Sequence, residues 1–514
     1  MTGNRTEKRY VIGYDVGTGG CKAVLVTLDG SIEATEFEPY EVAFPQDHYA
    51  EQDPADWWRA VCETTGRLVG KARVDPSEVM GLAFASQMLG VVPVGQNGEP
   101  LCPGIIWMDS RAEKQAARLV RRMGGRKVLM TLLGVVPSGK DVPCKFKWVE
   151  EDAPEIFART MYFLDVKGYL VWRATGSYEY DQTACSVTGF MDSRTRGWSG
   201  LAAKVLGGRL DKMPPVKGCT EIAGELTDAA AAEMGLAAGT PVASGMGDAP
   251  AAIIGAGALS HGECVVSIGT SGLLLINSEK KVNLGRNGMA SIASSDPEMW
   301  LLTGEMITTG SCLKWFAEQL VSPGERERAG EGGIYAELDR VVTGVPAGSR
   351  RLIFTPWMYG ERAPVTDNML RGAYVNLSLD HTRDDMLRAL YEGVAMNFRW
   401  GFEAAARKKL PCPTVRVIGG GALSDPWMQI FADVTGRVME PVEGAQEAGA
   451  LGAALSVPLA LGVYPDYAAV REAVKVRRRF EPDRSKAPVY DELFEQFQRL
   501  YDGLAPVYHE LNRM

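Results

Sequence analysis

Two glycine-rich segments have the composition of phosphate-binding turns. The first is DVGTGG at residues 15–20, and the second is SIGTSG at residues 267–272, an offset of 252 residues (267 minus 15). Because glycine has no Cβ, the backbone N–H groups of such turns can approach phosphate oxygens closely. Each segment alone also fits an ordinary tight hairpin. The repetition favours phosphate binding, and two such turns could hold one polyphosphate.

The first turn is preceded by a carboxylate, Asp15. A carboxylate repels phosphate unless a cation lies between them, and Mg²⁺ takes carboxylates, phosphate oxygens and water as ligands. Asp15 therefore predicts a Mg²⁺ ion that is held directly or through water.

A second carboxylate, Asp248, follows the segment PVASGMG at residues 241–247. The neighbouring glycines leave room for a ligand hydroxyl, and a carboxylate there can accept the hydroxyl proton while the oxygen attacks phosphorus. The alternative is an Asp at a helix N-cap, and the local pattern alone favours it.

A third glycine cluster, Gly419-Gly-Gly-Ala422, follows the strand-like residues 415–418. A backbone without side chains offers a flat surface for a nucleoside. Glycines between a strand and a helix often serve close packing only, so this motif is weak by itself.

The elements that position these residues are those of an α/β protein. Apolar runs at residues 10–16 and 22–28, followed by Asp29-Gly30 and residues 31–38, predict an antiparallel meander. Asp53-Pro54 predicts the start of a helix over residues 55–69.

The strand–turn–strand pattern recurs at residues 263–277, which predicts two copies of one α/β domain that face a shared cleft. The boundary and a hinge are expected near residues 255–262. Residues 487–514 read as an amphipathic helix whose aromatic side serves core packing. The aromatic residues of that side are Tyr490, Phe494, Phe497 and Tyr501.

Composition excludes several classes of protein. The 514 residues are 46% hydrophobic and 23% charged, which is typical of a globular protein with sizeable cores. A net charge of -9 disfavours nucleic acid and anionic membrane surfaces as partners.

Nine scattered cysteines without a CxxC pattern predict a reduced, cytoplasmic location. Four histidines without a close pair leave little material for a zinc site, and residues 448–463 are too short and interrupted to span a membrane.

Together these segments resemble the FGGY carbohydrate kinases, within the actin-like and hexokinase-like ATPase superfamily, and among them the xylulokinase branch. The resemblance covers almost the whole chain. Its motifs are DVGTGGCK at 15–22, EQDP at 51–54 with Trp57 and Trp58, SQM at 86–88, WMDSR at 107–111, Gly247-Asp248, SIGTSG at 267–272, GERAP at 360–364, GGGA at 419–422 and EAGALG at 447–452.

The resemblance implies two duplicated actin/hexokinase-like (ribonuclease H-like) α/β domains, residues 1–257 and 258–514, that flank a nucleotide and sugar cleft. It implies ATP and Mg²⁺ as cofactors, with Asp15 near the metal, and it makes Asp248 the catalytic base rather than a cap. The residues implied for ATP binding are Gly17, Thr18, Gly19, Gly20, Lys22, Gly269, Thr270, Ser271, Gly420, Gly421 and Ala422. The residues implied for the sugar are Gln87, Met88, Asp109, Arg111 and Asp248.

The sugar pocket departs from the xylulokinase pattern. Leu89 and Ala249 stand where xylulokinases usually have His and Asn, so two polar partners of the sugar are missing. A site that loses hydroxyl partners can change its substrate, which predicts that a sugar other than xylulose reacts best. The Arg-Glu pair of glycerol kinases is also absent beside Gln87, and this disfavours glycerol. For Asp109 and Arg111 the alternative is a salt bridge that steadies a loop.

We therefore expect ATP-dependent phosphorylation of a hydroxyl of a ketopentose-like sugar or of a related polyol. The resemblance makes xylulose the leading candidate, whereas Leu89 and Ala249 favour another ketose or polyol. The alternative is an actin-like or chaperone-like nucleotide-dependent interaction protein without a sugar acceptor. Glu361 and Arg362 belong to a family motif without an assigned chemical step. A monomer and a homodimer both remain open.

Overall fold

A computed structural model describes residues 9–132, 136–329 and 333–513. These residues form two compact units. The first contains the described residues up to Leu259 together with Ile292–Leu301 and Glu447–Val474. The second contains Ser260–Ser291, Leu302–Gln446 and the described residues from Lys475 onward. The chain thus returns twice to the first unit after leaving it. The domain division expected after residue 257 remains a prediction.

The strands of the described residues are β1 (Tyr10–Val16), β2 (Gly20–Thr27), β3 (Ile32–Pro39), β4 (Glu51–Gln52), β5 (Val79–Ser86), β6 (Val92–Val94), β7 (Gly104–Ile105), β8 (Tyr162–Leu164), β9 (Tyr180–Asp181), β10 (Val216–Lys217), β11 (Ile222–Glu225), β12 (Pro241–Gly247), β13 (Cys264–Ile268), β14 (Gly272–Ser278), β15 (Met289–Ala293), β16 (Trp300–Met306), β17 (Ile353–Thr355), β18 (Ala373–Val375), β19 (Thr414–Ile418) and β20 (Val438–Pro441).

The α-helices are α1 (Pro54–Ala72), α2 (Glu113–Arg122), α3 (Arg126–Leu132), α4 (Val142–Asp152), α5 (Pro154–Arg159), α6 (Val166–Thr175), α7 (Gln182–Val187), α8 (Gly200–Leu206), α9 (Asp228–Met234), α10 (Asp248–Gly255), α11 (Gly310–Gln319), α12 (Pro323–Arg328), α13 (Gly333–Thr343), α14 (Arg383–Ala406), α15 (Asp425–Thr435), α16 (Ala448–Ala460), α17 (Tyr467–Ala473) and α18 (Ala487–Leu511).

The sheet of the first unit has the order β11-β12-β5-β1-β2-β3. Strands β1, β2 and β3 pair antiparallel, which confirms the predicted meander. Strand β5 runs parallel to β1, and β12 runs parallel to β5. The carboxyl ends of β1, β5 and β12 therefore meet at one edge of this sheet.

The sheet of the second unit repeats this arrangement. Its order is β15-β16-β14-β13-β19-β20, with β13 antiparallel to β14 and parallel to β19, and with β19 parallel to β20. In both sheets the first strand of the repeat lies between its antiparallel hairpin partner and a parallel strand. The duplicated α/β fold is confirmed.

Helix α16 lies directly on the first sheet and on α10. A Cβ atom on Gly13 of β1 would be 2.0 Å from the carbonyl oxygen of Ala450, and one on Gly255 would be 1.9 Å from that of Ala448. Only glycine permits such close backbone contact. The apolar segment from residue 448 is thus a buried helix of the first unit.

Helix α1 confirms the predicted cap, because the Asp53 side chain accepts a hydrogen bond from the backbone N–H of Ala55. Helix α18 confirms the predicted aromatic side. Tyr490, Phe494 and Phe497 are buried, and the Phe497 ring centroid lies 5.4 Å from that of Trp357.

Candidate active site

The edge of the first sheet gathers the sequence-predicted residues of the first half. The strand register places Val16, Ser86 and Gly247 side by side at the ends of β1, β5 and β12. The phosphate turn follows the first of these residues, Gln87 the second and Asp248 the third. The predicted cation ligand Asp15, the predicted sugar contact Gln87 and the predicted base Asp248 are thereby brought to one edge of the sheet by strand pairing.

Asp15 lies opposite Lys22 in the β1–β2 ladder. Burial raises the pKa of Asp15 to about 6, and the charge of Lys22 opposes this shift. A Cβ on Gly449, in the first turn of α16, would be 2.4 Å from Asp15 Oδ2, so the helix begins against the carboxylate. The described residues contain no group of three or more His, Cys, Asp or Glu that could hold a metal. A Mg²⁺ ion at a single carboxylate fits the usual arrangement, in which phosphates and water supply the other ligands.

The first turn is fixed through its oxygens. The Tyr40 hydroxyl donates to the carbonyl of Gly17 at 2.6 Å, and Gln52 Nε2 donates to the carbonyl of Thr18 at 2.7 Å. Trp107 Nε1 donates to the Thr18 hydroxyl at 2.8 Å. These three side-chain hydrogen bonds fix the conformation of the turn.

Glycine at position 19 has no packing explanation. A Cβ added to Gly19 would meet no described atom within 4 Å, and one on Gly17 would make only an ordinary contact of 3.7 Å. The space beside the turn is therefore open, as phosphate oxygens would require.

Gln87, which follows β5, is hydrogen-bonded to the first turn and to Gln52. Its Nε2 donates to Gln52 Oε1 at 2.7 Å and to the Gly17 carbonyl at 3.3 Å, which fixes the orientation of the amide. Its Oε1 is buried without a hydrogen-bond partner among the described residues. An unpartnered buried acceptor suits a hydroxyl donor from a ligand.

Met88 packs on the strand that precedes Asp248. A Cβ on Gly247 would be 2.6 Å from Met88 Cγ and Sδ. Asp248 is partly exposed and is the first residue of α10, whereas Gly247 is the N-cap. Asp248 Oδ1 accepts from the backbone N–H of Ala249 at 2.8 Å. The alternative of an N-cap Asp at position 248 is therefore wrong.

Asp109 and Arg111 form the salt bridge that was the alternative for them. Arg111 Nη2 lies 2.7 Å from Asp109 Oδ2 and 2.6 Å from Glu51 Oε1, and both members of the Asp109–Arg111 pair are buried. The guanidinium also lies 3.7 Å from the Tyr49 ring centroid. These groups shape a loop beside the site, and a direct sugar contact stays a prediction.

One buried lysine was not anticipated from the sequence. Lys145 is fully buried, and its Nζ donates to the carbonyls of Leu89 at 2.9 Å and Ile106 at 2.8 Å. Leu89 has a left-handed φ of 62°. Burial lowers the pKa of Lys145 to about 7. The lysine thus ties the segment after Gln87 to the segment before Asp109.

In the second unit the turn at residues 269–272 lies against the start of α11. The backbone N–H groups of Gly310 and Ser311 donate to the carbonyls of Gly269 and Thr270 at 2.9 and 3.1 Å. The hydroxyls of Thr309 and Ser311 are buried without partners among the described residues. These two hydroxyls, which sequence reasoning missed, suit phosphate oxygens.

The glycine cluster after β19 has a packing role as well. A Cβ on Gly421 would be 2.2 Å from Ile268 Cγ2, and Gly419 has a φ of 83°. Two of the glycines are therefore needed against the strand that leads into the second turn. Gly420 has only a contact of 3.4 Å with Gln446 Nε2, and a nucleoside contact at Gly420 and Ala422 stays a prediction.

Glu361 binds backbone N–H groups near the turn at residues 269–272. Its carboxyl oxygens accept from the N–H groups of Ile307 and Arg362, both at 2.9 Å, and from Asn397 Nδ2 at 2.8 Å. Burial raises its pKa to about 8. Ile307 is two residues before Thr309, so Glu361 fixes the segment that enters α11.

Sequence models of the FGGY family of carbohydrate kinases match both halves of the chain. The N-terminal domain model matches residues 10–255, and the C-terminal domain model matches residues 264–460. The chain belongs to the FGGY family of carbohydrate kinases. It is a sugar kinase, and the alternative of an interaction protein without a sugar acceptor is set aside.

Three relatives show the extent of the similarity. The chain is 29% identical to the xylulose kinase of Bacillus subtilis strain 168 over 96% of this chain and 97% of that protein. It is 28% identical to the gluconokinase of the same organism over 96% and 95% of the two chains. The crystal structure of xylulose kinase from Rhodospirillum rubrum superposes with a TM-score of 0.85 at 29% identity, over 98% of this chain and 100% of the other.

Two further observations concern the helices and the cysteines. No helix in residues 9–132, 136–329 and 333–513 is long and apolar enough to cross a membrane. All nine cysteines have free thiols.

Proposed function

We propose that this FGGY kinase transfers the γ-phosphoryl group of ATP to a hydroxyl of a ketopentose-like sugar or of a related polyol. The observation that carries the proposal is the strand register that aligns the phosphate turn, Gln87 and Asp248. Asp248 acts as the general base on the acceptor hydroxyl. Gln87 Oε1 accepts a hydrogen bond from another hydroxyl of the sugar.

The phosphate contacts proposed for ATP are the turns at residues 17–20 and 269–272 with Lys22. Asp15 is the proposed ligand of Mg²⁺, which supplies neutralisation of phosphate charge when it is bound. Ser311 and Thr309 add two hydroxyl donors beside the second turn. Gly420 and Ala422 are the proposed nucleoside contacts.

The charges beside the first sheet favour a neutral acceptor over an aldonate such as gluconate. A carboxylate substrate needs an accessible cation whose charge is not already neutralised by protein carboxylates. Arg111 is already paired with the carboxylates of Asp109 and Glu51, and Lys145 is fully buried with its Nζ bound to two backbone carbonyls. We therefore propose a sugar without a carboxylate. A cytoplasmic location and the division into residues 1–257 and 258–514 remain predictions.

A panel of acceptors tests this proposal. ADP formation is measured with pentuloses, hexuloses, polyols and gluconate at saturating ATP and Mg²⁺. We expect a neutral ketose or polyol to give the highest kcat/KM, and Leu89 and Ala249 predict that this acceptor is not xylulose. Xylulose well ahead of the panel would show that other groups replace the missing polar contacts. Gluconate well ahead would overturn the argument from charge.

A further inference from the structure

A buried charged cluster lies beside β12, the strand that precedes the proposed base Asp248. Lys167, Glu179 and Asp181 are each 0% exposed. Lys167 Nζ is 3.2 Å from Glu179 Oε1 and 3.5 Å from Asp181 Oδ2. The desolvation of buried charges offsets most of the attraction between them even when they are paired, so stability alone is a weak explanation for this cluster.

The cluster contacts β12 at two points. Ser244 donates its hydroxyl to Glu179 Oε1 at 2.6 Å. Asp181 Oδ1 accepts from the backbone N–H of Thr183 at 2.7 Å and also from the Thr183 hydroxyl. Because that hydroxyl gives its hydrogen to Asp181, its oxygen is left as an acceptor. It accepts the backbone N–H of Gly247 at 2.9 Å.

Gly247 needs this partner because the ladder of β12 is interrupted. The pairing of β12 with β5 shifts register between Ala243 and Met246, and Gly245 has a left-handed φ of 73°. The N–H groups of Ser244 and Gly245 turn away to the carbonyls of Glu221 and Cys219, at 2.8 and 3.1 Å. The end of the strand therefore depends on contacts from outside the sheet.

The position of Gly247 sets the position of Asp248. Gly247 is the N-cap of α10 and has no side chain with which to cap it. Met88 packs against Gly247, and the Thr183 hydroxyl holds its N–H. A shift of this one residue moves the carboxylate that follows it.

We propose that Thr183 is a positioning residue for the base Asp248, and that Asp181 and Lys167 orient the Thr183 hydroxyl for this purpose. The inference rests on the proposed function, because it assigns Thr183 a role in the reaction only through Asp248. A misplacement of a catalytic group by about 1 Å can cost about 10²-fold in rate.

The test compares Thr183→Val with Thr183→Ser. Valine keeps the volume and removes the acceptor, whereas serine restores the hydroxyl. We expect Thr183→Val to lower kcat by about tenfold to hundredfold with KM for ATP unchanged, and Thr183→Ser to recover kcat to within about threefold. Hydrogen exchange of the Gly247 amide, followed by NMR with isotope-labelled glycine, should accelerate in the valine variant. Thr183→Ala replaces the valine variant if that protein does not fold.

Thr188→Val is the matched control. Thr188 is also 0% exposed, and its hydroxyl likewise donates to one oxygen, of Cys185 at 2.7 Å, and accepts one backbone N–H, of Phe190 at 3.0 Å. We expect this variant to keep kcat within about twofold of wild type, because its hydroxyl does not reach Gly247. An equal loss of kcat in Thr188→Val and Thr183→Val would overturn the proposal.

Asp248→Asn separates the two levels of the argument. If it abolishes turnover while Thr183→Val keeps kcat and Gly247 exchange at wild-type values, the positioning role is wrong and the proposed function stands. If Asp248→Asn turns over normally, Asp248 is not the base and the role of Thr183 falls with it. The double variant should lose no more kcat than Asp248→Asn alone, as residues acting through one group require.

Discussion

Replacing Lys145 with methionine should separate sugar binding from ATP binding. Methionine has a similar length and no donor, so the carbonyls of Leu89 and Ile106 would lose the partner that now lies at 2.9 and 2.8 Å. A buried acceptor without a partner costs about 1–3 kcal/mol. Leu89 already holds a left-handed φ of 62°, so its segment is the one expected to relax.

The expected kinetic effect follows from that cost. If the loss at one carbonyl appears in the transition state for sugar phosphorylation, kcat/KM for the sugar falls by about 5- to 150-fold. KM for ATP should stay within about twofold, because Tyr40 and Gln52 hold the turn at residues 17–20 through bonds that do not involve Lys145. The assay is coupled ADP formation with the best acceptor of the panel.

Lys147→Met is the control. Lys147 lies on the same helix, its side chain is 34% exposed and it pairs with Glu150. It should keep kcat/KM for the sugar, since an exposed pair contributes about 1 kcal/mol or less. A folded Lys145→Met enzyme with wild-type kcat/KM for the sugar would refute the reasoning.

The same lysine predicts a pH dependence of stability. Its pKa is about 7 in the folded chain against an ordinary value of 10.5. Between these values the unfolded chain binds more protons, so the free energy of unfolding contributed by this group rises with pH, by up to about 1.4 kcal/mol per unit. Lys145→Met should lack this rise in denaturant titrations from about pH 7 to pH 9.5. Parallel curves for the two proteins would contradict the burial argument.

The remaining predictions concern the base, the first turn and the acid of the second unit. Asp248→Asn should lower kcat by about 10² to 10⁴ with little change in ATP affinity by calorimetry. Gly19→Ala should raise KM for ATP by about tenfold or more, because the added Cβ enters the open space proposed for phosphate, and it should leave the melting temperature unchanged, because that Cβ meets no protein atom. Gly13→Ala should instead destabilise the fold, since its Cβ would lie 2.0 Å from a carbonyl oxygen. The pKa of Glu361 is about 8 in the folded chain against an ordinary value of 4.5, so between these values the folded state holds a proton that the unfolded state has lost. The free energy of unfolding should therefore fall from about pH 5 to pH 8 in the wild type, and it should fall less in Glu361→Gln. An unchanged slope in the glutamine variant, or an unaltered KM in Gly19→Ala, would contradict these arguments.

Local signals accounted for much of the fold. Asp29-Gly30, between residues 22–28 and 31–38, predicted the β2–β3 hairpin of the meander correctly because hairpin chemistry is local. The Asp53 cap predicted the start of α1 for the same reason. The repeated strand–turn–strand pattern was enough to predict the duplication. The distinction at Asp248 between cap and first helical residue was beyond local pattern, since the two differ by one position.

The contacts that the sequence did not disclose join distant segments. Lys145 reaches Leu89 across 56 residues, and Thr183 reaches Gly247 across 64. No periodicity marks such a residue, because its role depends on which carbonyl or N–H the folded chain leaves without a partner. The family motif around Glu361 signalled importance, but only the structure showed the backbone groups that it binds.

The helix that covers the first sheet is made late. The strands of that sheet are complete at residue 247, and α16 begins at Ala448, so 201 further residues (448 minus 247) must be synthesised before it can pack on β1 and α10. At about 5–20 residues per second this takes roughly 10–40 s. During that time the glycine-lined surface of β1 and α10 has no covering helix, and Asp15 lacks the neighbour that helps to bury it. A nascent chain therefore cannot assemble a finished Asp15 site before most of the second unit has left the ribosome.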